Sequence, residues 1–128
     1  MGRVVIRTLA VGVVAMLCGS ACTKHAQRAV ADYPDSVGFA GFTREEADGT
    51  MFWTKRRSPA TLGTVRQFYE QLLRSRPGWQ PSGADWANDN VDANGQPIDR
   101  TRASGKVSFY EEPNASVIEI WEFIPKPH

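Results

Sequence analysis

Histidine, cysteine and net charge are scarce in this chain, and each scarcity closes off a class of chemistry. Its 128 residues hold two cysteines, Cys18 and Cys22, and two histidines, His25 and His128. Most structural zinc sites need about four Cys or His ligands gathered at one point. Hydrolysis through a Cys or a His needs that group held against its target by a rigid scaffold. Residues so close to the two ends of the chain offer neither. The formal charge is only +1, without the basic excess of a nucleic-acid binder. No apolar run approaches the roughly 20 residues of a membrane-spanning helix. At 41% hydrophobic and 23% charged, the composition suits a folded domain, and the length allows a single one.

What is present begins with an export signal. Arg3 and Arg7 form a positive start, and Leu9 to Leu17 (LAVGVVAML) is an apolar stretch of signal-peptide length. The following residues, Leu17-Cys18-Gly19-Ser20-Ala21-Cys22, resemble the lipobox of bacterial lipoproteins, with Gly19 standing where a Leu is usual. The resemblance implies that residues 1–21 are removed and that Cys22 becomes a lipid-modified N-terminus. Thr23, where Asp marks inner-membrane retention in enteric lipoproteins, then implies the outer membrane, facing the periplasm. The alternative from the same residues is ordinary secretory cleavage near Ala21. Processing before Cys22 leaves about 107 residues, a net charge of about −1 and no free cysteine in the folded part.

Residues 22–31 read as a lipidated tether, because Thr23 to Ala31 is short, polar and without a period. Residues 32–128 read as one domain. Phe39 to Phe42 and Thr50 to Thr54 are β-prone runs around Asp48-Gly49, which predicts a hairpin. Ser58-Pro59 predicts a helix start. Leu62, Val65, Phe68, Tyr69, Leu72 and Leu73 share one face of that helix, which Pro77-Gly78 ends. Pro81 to Arg102, rich in Gly, Asn, Asp and Pro, reads as a long loop. Lys106 to Tyr110 and Ser116 to Ile124 predict two strands. The second is apolar on both faces, as a central strand or one covered on both sides would be. The fold class expected is α+β, with a small antiparallel sheet of four to five strands and one amphipathic helix across it.

Tyr33-Pro34-Asp35-Ser36, Phe68-Tyr69-Glu70-Gln71-Leu72 and Gly78-Trp79 together resemble a pattern recurring in small exported bacterial lipoproteins. That resemblance implies a fold and a location, and carries no activity with it.

The remaining candidates are sparse. Glu111, Glu112, Glu119 and Glu122 could supply two-carboxylate glycosidase chemistry, but charges beside strand ends are ordinarily solvated. Asn90-Val-Asp92-Ala-Asn94-Gly95 resembles half of a calcium loop but has Thr101 where the closing Glu belongs. No metal or cofactor is therefore expected. Lys55-Arg56-Arg57, just before the expected helix start, is a candidate contact for an anion or an acidic partner. Trp86, alone in the polar loop, reads first as an anchor tucked back onto the sheet, as lone aromatics in long loops often are, and is also the candidate recognition residue. The reading these features favour is a non-enzymatic envelope lipoprotein, membrane-bound through its lipid and acting on a protein partner. The alternatives are an immunity lipoprotein that blocks a toxin, and a small-ligand binder using the 81–102 loop.

Overall fold

A computed structural model describes residues 26–127. Residues 1–21, read above as an export signal, and Cys22, His25 and His128 lie outside the described residues. Among those described, no helix is long and apolar enough to cross a membrane.

The elements are β1 (Val37–Glu46), β2 (Gly49–Ser58), α1 (Leu62–Leu73), β3 (Trp79–Ser82), β4 (Asp85–Asn88), β5 (Ser104–Glu112) and β6 (Ala115–Pro125). They form one open antiparallel sheet of six strands in the order β1-β2-β6-β5-β4-β3, with α1 on one face. The sheet is larger than the four to five strands expected. Of the added strands, β4 lies within the segment read as a long loop, and β3 runs into it from Trp79. Their polar residues lie at the sheet's edge, where alternation is weak, while Trp86 supplies the apolar contact that fixes them.

The predicted hairpin forms with Ala47-Asp48 at its tip. Gly49 is there for space: a Cβ would stand 2.5 Å from the Phe123 ring and from the Ile124 carbonyl. β6 is central, as its two apolar faces predict, and Asn114 at φ 68° supplies the left-handed turn residue before it. Val65, Tyr69 and Leu73, one turn apart, press onto Val107, Phe109, Ile118 and Ile120. Fully burying such side chains stabilises the fold by about 1.5–3 kcal/mol each before entropy.

The helix boundaries differ from expectation. Ser58 does not cap the helix, because its backbone is still paired with Ser116 at the end of the β2–β6 ladder. Its hydroxyl accepts from the Ala60 N–H at 3.0 Å, and Thr61 takes the cap, accepting from the Thr64 N–H at 3.3 Å. The helix also stops at Leu73, before Pro77-Gly78 is reached.

The expected tether is partly domain. Val30 is buried in the core, beside the helix. Residues 28–36 form a strap over the helix-bearing face. The Tyr69 hydroxyl, its pKa pushed up by burial, donates to the Ala31 carbonyl at 3.0 Å, and Arg76 donates to the Ala29 carbonyl at 2.7 Å.

Candidate interaction surface

The face of the sheet away from α1 is divided in two. Its lower half is covered by residues 89–103. Asn90, fully buried, organises this segment: its amide nitrogen serves the carbonyls of Asp99, Arg102 and Ala103 at 2.8–3.2 Å, and its oxygen accepts from the Asp99 N–H at 2.7 Å. Asp92 accepts from the Asn94 and Gln96 N–H groups at 2.8 and 3.0 Å. Of the oxygens that suggested half a calcium loop, Asn90 Oδ1 and Asp92 Oδ1 thus serve the segment's own amides. Gly95 packs on the Trp121 ring, and the Arg100 guanidinium lies 4.4 Å from the centre of the Phe123 ring. Arg100 also joins Glu46 to Asp48, which holds the Asp48 carboxyl below its ordinary range.

The upper half is open. Trp53 stands opposite Trp121 across β2–β6, and Phe42 stands opposite Trp53 across β1–β2. Their ring centres are 5.5–6.0 Å apart, forming a continuous aromatic cluster. Glu119 sits behind it, accepting from the Trp53 indole at 2.6 Å and from the Tyr110 hydroxyl at 3.0 Å. Burial, followed by this carboxylate, pushes the Tyr110 pKa up. Cations lie against the rings: Arg44 at 5.1 Å from Phe42, Arg57 at 4.1 Å from Phe39, and Lys55 at 5.9 Å from Tyr110.

The large exposed apolar side chains of the described residues are Val37 (73%), Phe39, Phe42, Tyr110 and Ile98. Val37 and Phe42 pair across β1–β2 with residues of this face, and Phe39 lies under Arg57 at its margin. Tyr110 pairs across β5–β6 with Val117, which also points to it. Ile98 belongs to the segment that covers the lower half. The helix-bearing face has no counterpart.

The candidate contact residues separate. Trp86 is only 7% exposed, packed in the core under Arg74, so its ring is turned inward. Lys55-Arg56-Arg57 is not a cluster at a helix N-terminus but part of β2, where alternation sends its members to opposite faces. Arg56 faces the strap, donating to the Ser36 hydroxyl and carbonyl at 2.8 Å and pairing with Asp32. Arg57 forms a two-pronged pair with Glu112, and Lys55 lies over Tyr110. Lys55 and Arg57 therefore remain on the open face with Tyr110 and Phe39, while Trp86 and Arg56 do not.

Sequence reasoning missed one buried site. Glu122, grouped with the solvated strand-end carboxylates, is 2% exposed. It accepts from the Ala29 and Val30 N–H groups at 3.0–3.2 Å and lies 3.5 Å from Arg28. Its position among Ile118, Ile120 and Ile124 on one face was the available signal.

Compared with family models, with curated proteins and with solved structures, this chain gives no match.

Proposed function

We propose that the chain is a non-enzymatic envelope lipoprotein, held through lipid on Cys22 to the periplasmic side of the outer membrane and working through protein contacts. The observation that supports this most is the gathering of exposed apolar side chains on one side of one sheet, ringed by cations and Glu119. Contiguous apolar surface on a small domain is costly to solubility and ordinarily marks an interaction site. Tyr110, Arg57 and the Trp53–Trp121 pair are residue types enriched at binding hot spots.

Anchoring sets the geometry of presentation. Cys22 precedes Ala26 by four residues, at most about 14 Å of extended chain. Ala26 lies near Glu45, Thr50 and Lys126, at the end of the sheet that carries the β1–β2 turn. The open half of the aromatic face lies toward the other end, directed into the periplasm.

The experiment is an envelope pull-down after crosslinking, made with wild type, Phe42→Asp and Tyr110→Asp. A discrete partner lost in both variants, with folding unchanged, supports the reading. Turnover that survives purification and disappears in a point variant would replace it with an enzyme. Cys22→Ser should release the protein into the soluble periplasmic fraction; retention on the membrane would overturn the anchor.

A further inference from the structure

The charges on the helix-free face are not used alike. Both oxygens of Glu112 accept from Arg57, and those of Glu119 accept from the Trp53 indole and the Tyr110 hydroxyl. Glu46 is held between Arg44 and Arg100, and Asp85 gives one oxygen to the Phe109 N–H at 3.2 Å. The two lysines of the face differ from these. Among the described residues, neither Lys55 nor Lys106 makes an ion pair or a hydrogen bond. Lys55 has only the Tyr110 ring and a longer-range attraction to Glu112, which Arg57 already holds. Strand register also puts Lys55 inside the face rather than at its rim. It stands between Ala40 and Glu119, in the row that separates Phe42, Trp53 and Trp121 from Arg57 and Tyr110. Lys106 stands beside Trp121, at the end of the aromatic row. From strand spacing and rise, the two lysine Cα atoms lie about 12 Å apart, with Glu119 and Trp121 between them.

We infer that this face docks an acidic segment of a protein, which sets carboxylates against Lys55 and Lys106 and apolar side chains against Phe42 and the Trp53–Trp121 pair. A partner that touches both the Phe42 cluster and Tyr110 has to cover Lys55. An ammonium covered without an acceptor carries a desolvation penalty that apolar contact does not return. This chain cannot supply the acceptors, because both oxygens of Glu112 and Glu119 are engaged by its own donors. The acceptors therefore come from the partner, and carboxylates answer the charge as well as the hydrogen bonds. A basic partner would meet two uncompensated cations, which like-charge repulsion disfavours. Lysine suits the role, since its stem can lie along the rings while its head reaches the partner. This rests on the reading of the helix-free face as the contact surface and names the chemistry of its partner.

Photo-crosslinking of the full chain in its native cells tests it, with a photoreactive aromatic residue in place of Phe42. Adduct yield is compared in that parent, in Lys55→Glu, in Lys106→Glu and in Lys126→Glu, an exposed lysine at the other end of the sheet. Each face variant should lower the protein adduct about tenfold or more, and Lys126→Glu should leave it. Lys55→Gln and Lys106→Gln, which remove the charge without reversing it, should give intermediate yields. Exchanging the partner's carboxylates nearest the adduct for lysine should restore the yield in Lys55→Glu. Melting temperatures accompany every variant; where a glutamate variant melts early, an unchanged yield in its glutamine counterpart overturns the inference. A yield unchanged in both glutamate variants but lost in Tyr110→Asp overturns the acidic partner and leaves the contact surface standing. So does an adduct to a segment without carboxylates. A yield unchanged in Tyr110→Asp as well, an adduct with a glycan or lipid, or no adduct at all overturns both.

Discussion

Replacing Glu122 with alanine removes the acceptor that the buried Val30 amide and the part-buried Ala29 amide share. The carboxylate takes the Ala29 and Val30 N–H groups at 3.0–3.2 Å and faces Arg28 at 3.5 Å. A buried donor left without a partner costs about 1–3 kcal/mol, and breaking a buried ion pair from one side costs about 3–5 kcal/mol. The same carboxylate serves both, so the two costs overlap. Arg28 keeps a quarter of its side chain in water and its 2.8 Å pair with Asp32, both of which favour the low end. The expected loss is about 3 kcal/mol, read as a fall in melting temperature of roughly 12–24 °C for a domain of this size. Urea unfolding measures it, and hydrogen exchange at Ala29 and Val30 locates it in the strap. A loss below about 1 kcal/mol with those amides still protected would refute the reasoning.

The pH dependence gives a second check on the same residue. Burial raises the Glu122 pKa above its ordinary value, outweighing the Val30, Ala29 and Arg28 contacts that lower it. The folded chain therefore holds that proton more tightly than the unfolded chain. The stability this contributes is complete below about pH 4.5, the unfolded value, and is lost as pH rises through the folded one. Wild type should have its greatest advantage over Glu122→Gln at the acid end, shrinking toward neutrality. An advantage that grows with pH would mean that pairing with Arg28 outweighs burial.

Two further expectations follow from the packing. Asn90→Ala deprives the 89–103 segment of the buried amide that ties both its ends, and should cost about 3 kcal/mol, with protease cleavage appearing within that segment. Trp86→Ala should lower stability by about 3–5 kcal/mol, and any loss of partner capture should track unfolding and be restored at lower temperature.

The hairpin, the helix face and the central strand were legible in the sequence because their apolar periods match their structures. The helix start was not. Ser58-Pro59 is a sound local start signal, but ten ladder pairs between β2 and β6 hold Ser58 extended, and tertiary pairing overrides it. β3 and β4 were hidden because the short strands at and next to the sheet's edge keep polar side chains, and only Trp86 and Trp79 betray them. Trp79 lies over Gly105, where a Cβ would stand 2.6 Å from its ring. The tether looked polar because Glu122, Tyr69 and Arg76 grip the backbone of residues 29–31, and Val30 is the one apolar side chain there that enters the core. Of the candidate surface, single residues were visible, but Phe42, Trp53, Trp121 and Tyr110 become one cluster only through strand register.

Site-specific photo-crosslinking of the full chain in its native cells tests the central reading most directly. A photoreactive residue would replace, in turn, Phe42 and Tyr110 on the open face and the exposed Gln67 and Gln71 on the helix. Discrete adducts are expected from the first two positions and none from the helix. Adducts confined to Gln67 and Gln71, or absent from all four, would contradict an interaction domain working through its helix-free face.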